Sequence, residues 1–523
     1  MAFDIALIST VVVYIIATVL LCIFGVNLLA MSLRVFRRGV VVEPEPSPSV
    51  PDDDLPLVTV QLPVYNELYV ARRIIEAVAA FDYPVDKLQI QVLDDSTDET
   101  SLIVADAVAE VAAVGITIEH TQRVDRVGFK AGALAAGLET ATGEFVAIFD
   151  ADFVPPADYL RRTVPQFNAE NDPDQNVAFV QARWGHVNRD YSWLTKLQAL
   201  AIDGHFLVEQ AARGEAGYWF NFNGTAGIWR VEAISDAGGW KADTLTEDLD
   251  LSYRAHLRGW RARFIEDLVV PGEVPAQLTG YRRQQHRWAR GSIHCAGRLL
   301  PQVWRSGEPL MVRVQATLHL SAYFIHLLLV LLVLLYPAMV RASAEYGQLS
   351  TLFGAGYILA LTSLAPTLFF IVGSHRNGRR WIHDTPRILA ITVFGAGMMV
   401  NTARAALQML THPNPAFERT AKFGLEGQTA EQSSWTTKRY QLAPDKIVFV
   451  ELALGAYSMW AAWLAWSGSN PGIFIFASIF GIGLLVVALT SILHNVRLWA
   501  ARSRRARTLA AERQTIEALP ALR

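Results

Sequence analysis

The sequence predicts an α/β domain with a doubly wound, Rossmann-like sheet joined to an all-α membrane bundle. Three observations point there. Apolar residues are concentrated in residues 3–33 and again from about residue 318 onward. Strand-like and helix-like runs alternate between residues 57 and 149. Carboxylates stand where those strand-like runs end.

The composition agrees. Of 523 residues 52% are hydrophobic and 18% charged, too apolar a balance for an ordinary soluble enzyme of this length. A formal net charge of −3 argues against a nucleic-acid binder, whose domain is usually strongly basic. Two cysteines, Cys22 and Cys295, make neither a disulfide framework nor a cysteine metal site.

The 3–33 run exceeds the ~20 apolar residues that a spanning helix needs. Arg34, Arg37 and Arg38 follow it. A cleaved signal peptide carries its positive charges ahead of the apolar stretch, so residues 1–40 read as a retained anchor. The positive-inside rule then places the next segment in the cytoplasm. Residues 41–56, rich in proline and acid, read as a linker. Strand-like runs follow at 57–62, 88–93, 115–120 and 144–149, with helix-like runs at 67–80, 98–113 and 130–141. This alternation predicts parallel strands with crossover helices, and such a sheet binds ligands beyond the carboxyl ends of its strands.

Apolar runs recur at 318–340, 351–373, 387–410, 446–467 and 471–496. The basic stretches 375–387 and 497–507 both belong on the cytoplasmic side. Both can lie there only if 387–410 does not cross. That run carries Asn401, Arg404 and Gln408 on one helix face, as an amphipathic interfacial helix would. Five spans are therefore expected. The divisions are a catalytic domain at 57–300, interfacial helices and two spans at 301–411, a cytoplasmic segment at 412–445, two spans at 446–498 and a basic cytoplasmic tail at 499–523.

Four acidic segments carry the chemistry: QLPVYNE (61–67), LDDSTDET (93–100), FDADF (149–153) and TEDLDLSYRAHLRGW (246–260). Asp150 and Asp152 form an Asp-x-Asp pair after a strand. Hard Mg²⁺ or Mn²⁺ prefers such oxygen ligands and shares them with phosphates. A lone pair of this kind is also common in loops. Glu247 or Asp248 suits a general base that takes a proton from an attacking hydroxyl. The same acids after Thr246 also suit a helix N-terminus, and both roles can hold together. In YRRQQHRWARGS (281–292), Arg282, Arg283, Arg287 and Arg290 can fork phosphate oxygens, and Trp288 offers a flat platform for a sugar ring. A basic amphipathic helix on a membrane surface is the plainer reading of that segment. Lys130 in GFKAGAL is a phosphate candidate, or a solvated lysine at a helix start.

Together LDDSTD, FKAGAL, FDADF, TED and QQHRW, in this order and spacing, resemble the membrane-bound family 2 glycosyltransferases of the cellulose synthase superfamily. FNFNGTAGIWR (220–230) is similar to the cellulose-synthase-like A and C branch, which makes mannan, glucomannan or glucan backbones. The resemblance implies a GT-A catalytic domain and an inverting, divalent-metal-dependent hexosyltransferase. It puts Tyr65, Glu67, Asp94 and Asp95 around the nucleoside, with Lys130 also on the donor. It puts Asp150 and Asp152 at metal and diphosphate, with Asp248 as base beside Glu247. Gln284 and Arg287 would hold the diphosphate and Trp288 the acceptor end, with Asn223, Gly224 and Thr225 lining the acceptor site. A family gating loop of the form F-x-V-T-x-K corresponds to Phe417, Arg419, Thr420 and Lys422, with arginine in place of valine. No cyclic-dinucleotide-binding or N-terminal zinc region is expected.

The function implied is processive polymerisation of hexose from UDP-glucose or GDP-mannose into a β-linked polysaccharide, translocated across the plasma (inner) membrane. Its partners would be the nucleotide-sugar donor, the glycan acceptor and membrane lipids, with no nucleic acid. The rival is a non-processive transferase acting on a lipid acceptor. Donor identity, linkage and oligomeric state stay open at this point.

Overall fold

The computed structural model describes residues 5–41, 50–167, 175–346, 361–411, 419–429 and 433–518. Seven strands make one sheet: β1 (Val58–Val64), β2 (Leu88–Asp94), β3 (Thr117–Gln122), β4 (Phe145–Ile148), β5 (Val177–His186), β6 (Gly227–Arg230) and β7 (Arg261–Gly272). Their order is β3-β2-β1-β4-β6-β5-β7. All neighbours are parallel except around β6, which runs antiparallel to both β4 and β5. The four strands read from the alternating pattern form one half of this sheet. The mixed half, β5 to β7, lies beyond the region where the alternation was clear.

β1 and β2 are buried along nearly their whole length, as expected for strands covered on both faces. Val58, Val60 and Leu62 enter one apolar cluster. The opposite face carries Thr59, Gln61, Gln89 and Gln91, each buried. They pair across the two strands: Thr59 Oγ1 donates to Gln89 Oε1 at 2.8 Å, and Gln61 Nε2 to Gln91 Oε1 at 3.0 Å. Helix Phe129–Leu138 covers this polar ladder. Glycine at 137 lets the helix lie close, since a Cβ there would come within 2.5 Å of Gln61 Nε2.

Among the described residues five helices are long and apolar enough to cross a membrane: Ile5–Phe36, Phe324–Glu345, Trp381–Met409, Ile447–Ser467 and Pro471–Arg505. Four of the five expected spans are among them. Residues 347–360 fall outside the described residues, and the described remainder of the expected 351–373 span is a short turn and helix Ala365–Arg376. The run expected to lie flat at the interface counts among the five by length and composition alone. It breaks at Met398 into Trp381–Gly397 and Met399–Thr411. Asn401, Arg404 and Gln408 do share a face, but that face meets protein. Asn401 Nδ2 donates to Arg282 O at 3.0 Å, Gln408 Oε1 lies 2.8 Å from His286 Nε2, and Arg404 pairs with both oxygens of Asp445 at 3.2 and 3.0 Å. A polar stripe looks the same in sequence whether it faces lipid headgroups or another helix. Within the bundle, Gly397 and Gly483 let two helices touch backbone to backbone: a Cβ on Gly397 would sit 2.2 Å from Gly483 O.

The two halves are joined by helix Leu278–Arg305. Its Arg282, 1% exposed, donates to Glu451 of helix Ile447–Ser467, which is wholly buried. Arg376 makes a second clamp, donating to Val35 O at 2.9 Å and Gly39 O at 3.0 Å and pairing with Glu266 of β7. Removing one partner of a buried ion pair strands the other charge, at a cost of about 3–5 kcal/mol. Arg282→Leu should therefore sharply lower the thermal midpoint of the detergent-solubilised protein. Arg282→Leu combined with Glu451→Leu should recover most of the loss.

Candidate active site

The cleft opens at the carboxyl ends of β1, β2, β4 and β7, against one face of helix Leu278–Arg305. The chain leaves β1 through Tyr65 and a left-handed Asn66 (φ 54°), whose side chain accepts from Thr97 N at 2.8 Å. Tyr65 carries the guanidinium of Arg126 over its ring, 3.3 Å from the centroid. Asp95 is forked by Arg123 at 2.9 and 2.5 Å. Its neighbour Asp94 points the other way, because successive side chains at a strand end alternate. Asp94 is buried, takes bonds from Ser96 N at 2.8 Å and from His120 at 2.9 Å, and does not line the cleft. Burial raises its pKa, but the bonds from His120 and Ser96 outweigh that and hold it well below the usual carboxylate range.

Asp150 and Asp152 leave β4 into the cleft. Asp150 Oδ1 is 2.5 Å from Lys130 Nζ, which also donates to Gly224 O at 2.7 Å. Asp152 Oδ2 is 2.5 Å from Lys422 Nζ. Thr225 lies wholly buried beneath the cleft, not on its wall, and accepts from Asp150 N at 2.9 Å.

Glu247 and Asp248 open helix Glu247–Leu257. Thr246 makes no side-chain cap there; instead it packs against Gly291, where a Cβ would come within 2.4 Å of its methyl. The helix carrying Gln284, Arg287 and Trp288 is thereby seated on the acidic turn. Those three residues, spaced i, i+3 and i+4, all line the cleft. Asn223 and Gly224 line it too. Gly224 has φ +82°, and a Cβ there would sit 3.0 Å from Asp248 Oδ2. Burial, and then the neighbouring Glu247, push the Asp248 carboxyl up to about 7. Burial also raises Glu247. It works against the charge of Lys130, but Asp150, Glu247 and Asp248 outweigh it and hold Lys130 above its ordinary pKa.

Phe417 lies outside the described residues. Residues 419–425 cover the end of the cleft beside Tyr65 and Glu67. Arg419 pairs with Glu67 at 3.0 Å and donates to Tyr65 O at 3.1 Å, and Arg287 donates to Thr420 Oγ1 at 3.4 Å. Glu273, just after β7, takes three backbone N–H bonds from Phe423, Gly424 and Leu425 at 2.7, 2.9 and 3.1 Å. Sequence reasoning missed Glu273, Arg123 and Arg126. Glu273 had a signal, being one more acid at the end of a strand. The two arginines had none, since their partners lie across the fold.

Among the described residues no group of three or more His, Cys, Asp or Glu side chains is arranged to hold a metal alone. Asp150 and Asp152 would therefore supply two carboxylates, leaving phosphate and water oxygens to complete the shell of a hard divalent ion. The charge of the lining fits: seven carboxylates face five Lys and Arg side chains, a formal excess of two negative charges before any diphosphate enters.

Residues 56–291 match the family described as "Glycosyltransferase like family 2". Over 257 residues, 48% of this chain and 47% of the relative, the sequence is 44% identical to "Glucomannan 4-beta-mannosyltransferase 2" of Arabidopsis thaliana. Over 361 residues, 68% of this chain and 59% of the relative, it is 39% identical to "Probable glucomannan 4-beta-mannosyltransferase 7" of Oryza sativa subsp. japonica. The alignments span roughly half the length of these curated relatives. Among solved structures, "Mannosyltransferase PcManGT from Pyrobaculum calidifontis in complex with GDP-Man and Mn2+" aligns with a TM-score of 0.44 and 24% identity, over 70% of this chain and 98% of that one.

Were Asp248 a base it would work deprotonated, and turnover should then climb as pH rises through about 7, not through the usual carboxylate value of ~4. Glu247→Gln removes a neighbouring negative charge. It should move that acid limb of the kcat/KM profile to lower pH, by on the order of one unit.

Proposed function

Because residues 56–291 make up a glycosyltransferase family 2 domain, we propose that the protein is an inverting hexosyltransferase that extends a β-linked glycan from a nucleotide-sugar donor and passes it across the membrane. The convergence of Asp150, Asp152 and Asp248 with Gln284, Arg287 and Trp288 on one cleft carries this reading.

The residues divide the work. Asp248 takes the proton of the acceptor hydroxyl as that oxygen attacks the anomeric carbon from the face opposite the diphosphate. Its raised pKa matches the task near neutral pH. Gln284 and Arg287 donate to the diphosphate oxygens, where negative charge grows as the bond breaks. Mg²⁺ or Mn²⁺ held by Asp150 and Asp152 would supply further neutralisation of that charge. Trp288 offers the apolar face of its indole to the acceptor ring. Tyr65 and Arg126, already stacked, provide a surface for the nucleobase. The names of the aligned relatives favour mannose over glucose, hence GDP-mannose before UDP-glucose.

Two features support processive export. Hydroxyls buried in hydrocarbon without partners cost several kcal/mol each, so a long glycan needs a lined path. The helix bearing Trp288 is also the one fastened into the bundle, by Arg282–Glu451 and His286–Gln408. With Arg34 closing the first spanning helix and Arg37 and Arg38 beyond it, the catalytic domain is assigned to the cytoplasmic side.

The test is a donor panel with the purified full-length protein and Mg²⁺ or Mn²⁺, followed by linkage analysis. Polymer from GDP-mannose that a β-mannanase degrades is the expected result. Asp248→Asn should lower kcat at least ~10³-fold, since a positioned base contributes about 10²–10⁴. Product that partitions wholly with lipid and resists glycanases would replace this reading with single transfer to a lipid acceptor.

A further inference from the structure

Helix Trp193–Gly204 does not run straight into Ala211–Glu215. Between them His205–Gln210 winds as a π-helix. Such segments are rare and frequently sit at functional sites. This one projects two of its side chains onto Asn223, the cleft residue beside Gly224.

The hydrogen bonds fix their own polarity. Asn223 Nδ2 donates to Gln210 Oε1 at 2.9 Å and to the carbonyl of Asn221 at 3.3 Å. A carbonyl can only accept, so the amide orientation is settled, and Asn223 Oδ1 faces His205 Nε2 at 3.2 Å. That nitrogen must donate. The other, Nδ1, lies 3.1 Å from Glu209 Oε2. Glu209 also receives Arg213 Nε at 3.2 Å on its second oxygen. Burial raises the pKa of Glu209, but His205 and Arg213 outweigh burial and hold it far below its ordinary value. An ionised carboxylate only accepts, and the His205 ring bridges Glu209 and Asn223 through its two nitrogens. Asn223 N is held as well, donating to Gln181 Oε1 at 2.9 Å.

The loop held this way touches the reacting groups. Gly224 O receives Lys130, and the Gly224 Cα faces Asp248 Oδ2. We infer that His205 and Glu209 are positioning residues: Glu209 fixes the ring whose Nε2 meets Asn223 and so sets where the Asn221–Thr225 loop presents the acceptor to Asp248. This rests on the sugar-transfer reading above. It adds two residues that none of the acidic motifs contains.

The experiment uses full-length protein in detergent, GDP-mannose as donor and β-1,4-mannohexaose as acceptor, with kinetics taken in each substrate separately. His205→Ala and Glu209→Gln should raise the acceptor KM about tenfold while the donor KM stays within about twofold, as expected for loss of one hydrogen bond in a part-buried site. His205→Gln, which can still donate to Asn223, should recover part of the loss. His205→Ala on top of Asn223→Ala should add nothing, because both act through one contact. If His205→Ala does not fold, Glu209→Gln and His205→Gln carry the same comparison. A fall shared equally between donor and acceptor parameters, or additive effects of the two alanines, would overturn the inference while leaving sugar transfer standing. A wild-type protein that transfers no sugar from GDP-mannose or UDP-glucose would remove both.

Discussion

Two lysine ammonium groups hold the acids of this cleft together. Like charges a few ångströms apart in a partly buried site repel by several kcal/mol at an intermediate effective dielectric. Asp150, Glu247 and Asp248 would face that repulsion without Lys130, and Asp152 would face Glu67 and Glu273 without Lys422. The position of Lys130 is itself a product of the fold. Its helix begins at the left-handed Gly128 and lies on the Thr59–Gln61–Gln89–Gln91 ladder, which Gly137 lets it approach. A polar layer between two parallel strands thus decides where an ammonium group stands relative to the candidate base. The compensation is incomplete: burial still lifts both Glu247 and Asp248. An acid that binds its proton more tightly than usual is also a stronger base once that proton is lost.

The alternating half of the sheet was legible because β1, β2 and β4 are short apolar runs bounded by breaks, and their acids had to emerge at one rim. The half holding β5, β6 and β7 was not. A single antiparallel strand inserted between two parallel ones leaves no local mark. Within the site, residue type was legible and side-chain direction was not. Asp94 and Asp95 are adjacent in one motif, yet one is sealed against His120 and the other faces the cleft. Thr225 belongs to the acceptor-side segment but serves from beneath, through the backbone of Asp150. Glu273 binds backbone amides some 150 residues further along the chain, a distance over which no spacing rule operates.

Charge counting along the membrane segments met a related limit. The positive-inside argument treats each arginine as a solvated topological charge. Arg376 is buried, spent on the end of the first helix and on Glu266 of the sheet. Arg404 is bound to Asp445. Their partners nevertheless keep both on the side of the catalytic domain, Arg376 at Val35 and Gly39 and Arg404 at Asp445, so length and apolarity alone do not make 387–410 a crossing.

Helix Leu278–Arg305 then acquires a particular meaning. One face gives Gln284, Arg287 and Trp288 to the cleft; other faces give Arg282 to Glu451 and His286 to Gln408; and Gly291 seats it on Thr246, next to the candidate base. Catalytic wall and bundle wall are one rigid element, since a 28-residue helix pinned at three levels cannot tilt toward one partner without leaving another. On the proposed reading, a sugar newly joined at Asp248 moves past Trp288 before the next is added, and that movement is already a step along the bundle. Elongation and export would then be a single displacement of the glycan against a fixed surface, with no separate motion of the enzyme required to couple them.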